Sequence, residues 1–164
     1  MDIHSQIPYE QLLNSNGELN LKKEKYKTIN YGIGIFLILM SLVWLAVGQW
    51  ILFIMKIKAI TEYRNAGWIH SIVGSTVLLV VGFENFVFYN HFGKGFIKLH
   101  MLLLNFCAAV YFLFIGFYTF TNMGKSTAIK ELIVAYIGVS AVSVGVACIL
   151  FSNFVFIRKQ LIMN

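Results

Sequence analysis

The chain has 164 residues, 59% of them hydrophobic and only 12% charged, with a formal net charge of +6. A soluble domain carries about 25% charged residues to cover its surface, so this composition, with a mean hydropathy of +0.75, excludes a soluble enzyme and a disordered protein. The 13 Lys and Arg residues are spread over both tails and the loops without forming one basic face. That distribution excludes a nucleic-acid partner and fits ordinary anchoring of membrane spans.

Residues 1–28 are polar, with acids and lysines interspersed. A cleavable signal peptide places its apolar core near the start, and a transit peptide is arginine-rich and poor in acids. Neither pattern fits, so residues 1–28 are expected to be a cytosolic N-terminal tail. Within it, Tyr9-Glu10-Gln11-Leu12 has the spacing of a clathrin-adaptor sorting signal, in which an extended peptide inserts the tyrosine (Tyr9) and the leucine (Leu12) into two pockets. The alternative reading is a short amphipathic segment, 7–13, resting on the membrane.

Four apolar stretches follow, at 29–55, 67–89, 99–120 and 132–157. About 20 apolar residues suffice to cross the hydrocarbon core. Their short connecting loops join antiparallel neighbours and leave no room for a soluble domain, so the expected fold is all-α: a four-transmembrane-helix up-down bundle. Residues 158–164 form a short C-terminal tail. The single proline, Pro8, lies outside the spans, so no proline kink is expected. Lys22, Lys23, Lys25, Lys27, Lys94, Lys98, Arg158 and Lys159 fall on one side of the membrane, and Lys56, Lys58, Arg64, Lys125 and Lys130 on the other. Eight against five places both termini in the cytosol.

Helices in lipid associate through close packing, and small residues mark the interfaces. The first span has Gly34, Ser41 and Gly48 at steps of seven. The second has Gly67, Ser71, Gly74 and Leu78. The third has Asn105, Ala109, Phe112 and Gly116, and the fourth has Gly138, Ala141, Gly145, Cys148 and Ser152. Steps of three and four keep residues on one face, and a sustained seven-residue repeat implies left-handed packing. These seams are expected to hold the bundle together. The sharper expectation is that one of them, foremost that of the fourth span, faces another subunit.

Chemistry-bearing residues are few. Glu84 is the single acid inside a span and a candidate ion or proton site by default. It lies 17 residues beyond Gly67, about 26 Å along a helix. That depth is close to the cytosolic interface and to Asn85, His91 and Lys94, so a solvated or lysine-paired carboxylate is the plainer expectation. The histidines His70, His91 and His100 do not face one another at mid-membrane depth, as haem ligation across a bundle requires. Gly124-Lys125-Ser126-Thr127 imitates a phosphate loop but has Thr119 where the first glycine belongs. Cys107 and Cys148 lie within spans, and no Cys-x-x-Cys pair occurs. No catalytic residue, metal or cofactor is expected. Phe83, Phe86, Phe88, Tyr89 and Phe92 gather at one end of the second span, as an interfacial aromatic belt in contact with lipid would.

The stretch Gly67-Trp68-Ile69-His70-Ser71-Ile72-Val73-Gly74-Ser75 resembles the tryptophan-glycine and serine-glycine-serine pattern in the second span of the membrane-spanning four-domain family, with Val73 where a serine is usual. Short loops and four spans are also similar to the MARVEL-domain group of vesicle and junction proteins. Both resemblances imply a role in membrane organisation, trafficking or signalling support and assign no catalytic residues.

The expected function is therefore a non-enzymatic tetraspan scaffold or trafficking protein in an endomembrane or the plasma membrane. Its expected partners are membrane lipids, another copy or a membrane protein, and a clathrin adaptor. The alternatives are an accessory subunit of a larger complex, such as a respiratory assembly of the mitochondrial inner membrane, and a small transporter or channel using Glu84.

Overall fold

The computed structural model describes residues 9–57, 64–87, 95–123 and 130–162, all of them helical. Four helices follow in order: α1 (Tyr9–Ile57), α2 (Arg64–Val87), α3 (Gly95–Met123) and α4 (Lys130–Ile162). Each contains a stretch long and apolar enough to cross a bilayer: Lys27–Ile54, Gly67–Val87, Leu99–Thr121 and Ile133–Lys159. Helices are the expected solution, because lipid offers no hydrogen bonds and each backbone group must be satisfied within its own segment. The chain is an all-α, multi-pass integral membrane protein, with span limits within a few residues of those expected from hydropathy.

The contacts order these helices into two antiparallel hairpins. Along α1 and α2, Gly34 lies against Gly82 and Phe86, Gly48 against Ser71, and Leu52 against Gly67. Residue numbers rise on one helix as they fall on the other. Along α3 and α4, Phe106 packs on Phe154 with centroids 5.4 Å apart, and Gly116 lies against Ser140, Ser143 and Val144. Contact within each hairpin is extensive, contact between α2 and α3 is sparser, and α1 meets α4 over a short stretch. The Trp44 indole crosses the bundle to meet the Phe112 ring edge-on at 5.1 Å.

Sequence spacing produces this core directly. On α1 the buried positions are Asn30, Gly34, Leu37, Ser41, Trp44 and Leu52, alternating steps of four and three before a step of eight. The core around them comprises Leu78 and Val81 of α2, Ala108, Phe112 and Ile115 of α3, and Val146 and Leu150 of α4. At Gly34 a side chain is excluded outright: a Cβ there would sit 2.8 Å from the Phe86 amide nitrogen and 2.9 Å from the Gly82 carbonyl. Gly74 likewise vacates the space filled by the Trp44 indole, whose Nε1–H donates to the His70 carbonyl at 3.2 Å. The opposite faces carry exposed Leu42, Phe53, Ile69, Phe114 and Phe117, as lipid-facing surfaces do.

Two expectations need correction. The fourth seam does not hold the bundle shut, because Gly138, Ala141, Gly145, Cys148 and Ser152 are all exposed. The buried face of α4 is instead Ser143, Val146, Ala147, Leu150, Asn153 and Ile157. The physical reason is that α4 carries two seven-residue repeats, 138-145-152 and 143-150-157. They are offset by two residues, or about 200° around a helix, and the second carries the larger apolar groups and an amide that can be satisfied only inside. The other correction concerns the N-terminus. The boundary at residue 28 falls within one continuous helix, and Tyr9 to Leu12 form its first turn rather than an extended peptide. Tyr9 follows Pro8, a residue suited to the start of a helix. The 18 residues ahead of the span carry α1 about 27 Å beyond it.

Candidate functional site

At the end of the bundle that carries both chain termini, one asparagine from each helix is enclosed: Asn30, Asn85, Asn105 and Asn153 are all at most 1% exposed. Three of them form a network. Asn85 Nδ2 donates to the Val81 carbonyl at 2.7 Å, and Asn105 Nδ2 donates to the Met101 carbonyl at 2.8 Å. Each bond runs one turn back along its own helix and turns the Oδ1 atom toward the bundle axis. Asn153 Nδ2 has two hydrogens and donates to Asn85 Oδ1 at 2.9 Å and to Asn105 Oδ1 at 2.9 Å. Through that one amide, α4 ties the second hairpin to α2 of the first. Asn153 Oδ1 and both amide atoms of Asn30 are buried without a partner.

Glu84 sits beside this network. Its Oε1 lies 3.3 Å from His100 Nδ1, with the carboxylate side chain mostly buried and the imidazole more than half exposed. Among the described residues the partner of the carboxylate is this histidine; Lys94, a candidate lysine partner, lies outside them. His91 and Lys94, the other anticipated neighbours, lie outside the described residues. Glu84 Oε2 is buried and unpartnered. Among the described residues, no group of three His, Cys, Asp or Glu side chains is placed to hold a metal ion.

The opposite half of the bundle contains a cavity of about 420 Å³ between the two hairpins. α1 contributes Trp44, Val47 and Gly48 to its wall, α2 contributes His70 and Ser71, α3 contributes Ile115, and α4 contributes Val139 and Val142. Residues of both α1 and α4 line the cavity, and these two helices make few contacts with each other. On α2, its lining at Ser71 lies 14 residues from Asn85, about 21 Å away, so Glu84 has no part in it.

The other residues singled out in the sequence divide cleanly. Gly34, Ser41, Gly74, Ala109 and Gly116 are buried in helix contacts, Ser71 and Gly48 meet each other, and Gly67 faces Leu52. Gly138, Ala141 and Gly145 face outward. Cys107 and Cys148 are free thiols on exposed faces. The asparagine network escaped the sequence reading. Spacing groups Asn105 with the small residues of the third span and Asn85 with Glu84. The signal that could have found it is one asparagine per span at matching depth, since a buried amide in lipid needs a partner from another helix.

No protein-family model matches this chain, and neither a curated protein nor a solved structure matches it.

Proposed function

We propose that the protein is a non-enzymatic tetraspan that works by associating with a further transmembrane helix through the outward face of α4. The partner helix belongs to another copy or to a different membrane protein. The observation that carries this reading is the orientation of α4. Its stripe of small residues, Gly138, Ala141, Gly145, Cys148 and Ser152, is exposed while the bulkier stripe is buried. Small residues lower the height of a helix surface, so a neighbouring backbone can approach closely and gain dispersion contacts that lipid tails cannot match. Within the chain, Gly145 and Gly138 would each accept a Cβ with nothing inside 4 Å. Internal packing therefore gives no reason for glycine at either place.

Such a protein organises or escorts other membrane components, as the resemblance to the membrane-spanning four-domain and MARVEL-domain groups implies. Excess Lys and Arg at the end bearing the termini supports a cytosolic location for both, in an endomembrane or the plasma membrane. The adaptor motif would require the first turn of α1 to unwind, because adaptors read extended peptides.

The test is Gly145→Leu. Because a Cβ at position 145 would meet no other part of the bundle within 4 Å, the variant should fold as the wild type does. Its association in a bilayer, followed by single-molecule photobleaching or by co-purification of partners in mild detergent, should weaken by about fivefold or more, equivalent to ~1 kcal/mol. Unchanged stoichiometry and unchanged partners would overturn the reading.

A further inference from the structure

Two different kinds of contact hold the four helices. Within each hairpin, backbone meets backbone. A Cβ on Gly34 would come within 2.8 Å of the Phe86 amide nitrogen, and one on Gly82 within 2.9 Å of the Gly34 carbonyl. In the second hairpin the Ser140 hydroxyl donates to the Gly116 carbonyl at 2.8 Å, and a Cβ on Gly116 would lie 3.4 Å from the Ser140 carbonyl. Main chains packed this closely cannot rotate against each other without clashing. Each hairpin therefore behaves as one body.

Between the hairpins, side chains meet side chains. Along α2 and α3, Glu84 Oε1 lies 3.3 Å from His100 Nδ1 near the end bearing the termini. Toward the other end, the His70 ring lies 6.4 Å from that of Tyr111 and 5.9 Å from that of Tyr118. Trp44 meets Phe112 edge-on at 5.1 Å in the middle. Ring pairs are favourable over centroid separations of about 4.5–7 Å, so these contacts survive a small rotation that the backbone contacts would not. The Asn153 amide, bonded to Asn85 of α2 and Asn105 of α3 at 2.9 Å each, keeps α2 and α3 together at the end bearing the termini. On the other side of the bundle, α1 meets α4 over a short stretch. The cavity of about 420 Å³ is lined there by Val47 of α1 and Val142 of α4, and both are also exposed at the surface. A slot thus opens sideways between these two helices.

We propose that the two hairpins are rigid leaves hinged along α2 and α3, and that they swing to widen and narrow the slot between α1 and α4. Sparse contact between compact units of one chain makes relative motion the default, and hinged rigid bodies are a common way for packed helices to move. Helix crossing angles scatter by about 15° around their preferred values. A swing of that size, with neighbouring axes about 9 Å apart, moves α1 against α4 by about 2 Å. The swing is independent of the association face on α4, because it needs no second helix.

Distances between paired nitroxide labels test this, using the full chain in liposomes with Cys107→Ser and Cys148→Ser. All six label sites are exposed. Val47→Cys with Val142→Cys spans the slot, Val73→Cys with Phe114→Cys spans the hinge line, and Ala46→Cys with Ile72→Cys spans the first hairpin. The distance distribution across the slot should be about twice as wide as either of the others. Helix content matched to the wild type in each labelled protein separates a swing from unfolding. Three equally narrow distributions would describe one rigid bundle and overturn the proposal. A hairpin or hinge-line distribution as wide as that of the slot would overturn it too, because the helices would then be moving singly.

Discussion

Replacing Asn153 with leucine removes two hydrogen bonds that join the two hairpins at the end bearing the termini. The Asn153 amide donates at 2.9 Å to Asn85 Oδ1 and at 2.9 Å to Asn105 Oδ1. Interhelical hydrogen bonds in membranes average about 0.6 kcal/mol each, so the bonds alone contribute about 1.2 kcal/mol. Their loss also leaves two buried carbonyl oxygens unpaired, for which ~1 kcal/mol each is a low-end cost. Removing Asn153 Oδ1, itself unpartnered, offsets part of that. The sum is a destabilisation of about 2 kcal/mol. SDS-driven unfolding in mixed micelles, followed by Trp44 fluorescence, measures it, since Trp44 lies in the core between the hairpins. A cycle with Asn85→Ala isolates one bond and should give a coupling near 0.6 kcal/mol. A change below about 0.5 kcal/mol for Asn153→Leu, with no coupling to Asn85, would refute the view that this amide clasps the hairpins together.

Two further substitutions test the packing. Gly34→Ala forces a methyl group against the Phe86 nitrogen and the Gly82 carbonyl, both backbone atoms. The α1–α2 hairpin must separate, and the same unfolding assay should show a loss of about 1–3 kcal/mol; a loss under 0.5 kcal/mol would contradict the close approach. Asn30→Leu should behave oppositely. Both amide atoms are buried without a partner, so an apolar replacement should leave stability unchanged or raise it by about 1 kcal/mol. A loss of more than 1 kcal/mol would show that Asn30 is satisfied by a bound water or ligand.

Much of the architecture is legible in the sequence because lipid imposes simple rules. Length and hydropathy locate the spans, and short loops make neighbours antiparallel. Gly34, Gly74 and Gly116 report inward faces because close approach of helices requires them. The fourth helix shows where that logic ends. Its two heptad stripes have the same period, and period alone does not say which one is inside. The choice rests on Asn153, whose partners sit on α2 and α3, far away in sequence. The cavity is legible only in three dimensions, since residues of all four helices line it. The unpaired Ser71 hydroxyl looks in the sequence like any other small residue of a seam. The helical arm of α1 was hidden by its polarity: exposed charges such as Glu18, Glu24 and Lys25 read as a tail, yet glutamate and lysine are good helix formers.

Whether the small-residue face of α4 docks another transmembrane helix, as proposed above, can be read at Cys148. This thiol lies exposed on that face, one turn from Gly145. In native membranes carrying Cys107→Ser, so that Cys148 is the single thiol, a short bifunctional maleimide-to-amine or maleimide-to-maleimide cross-linker should yield a discrete dimer or partner adduct. Gly145→Leu should reduce it by about fivefold. Monomer alone in both backgrounds, or an adduct that Gly145→Leu leaves untouched, would contradict the claim.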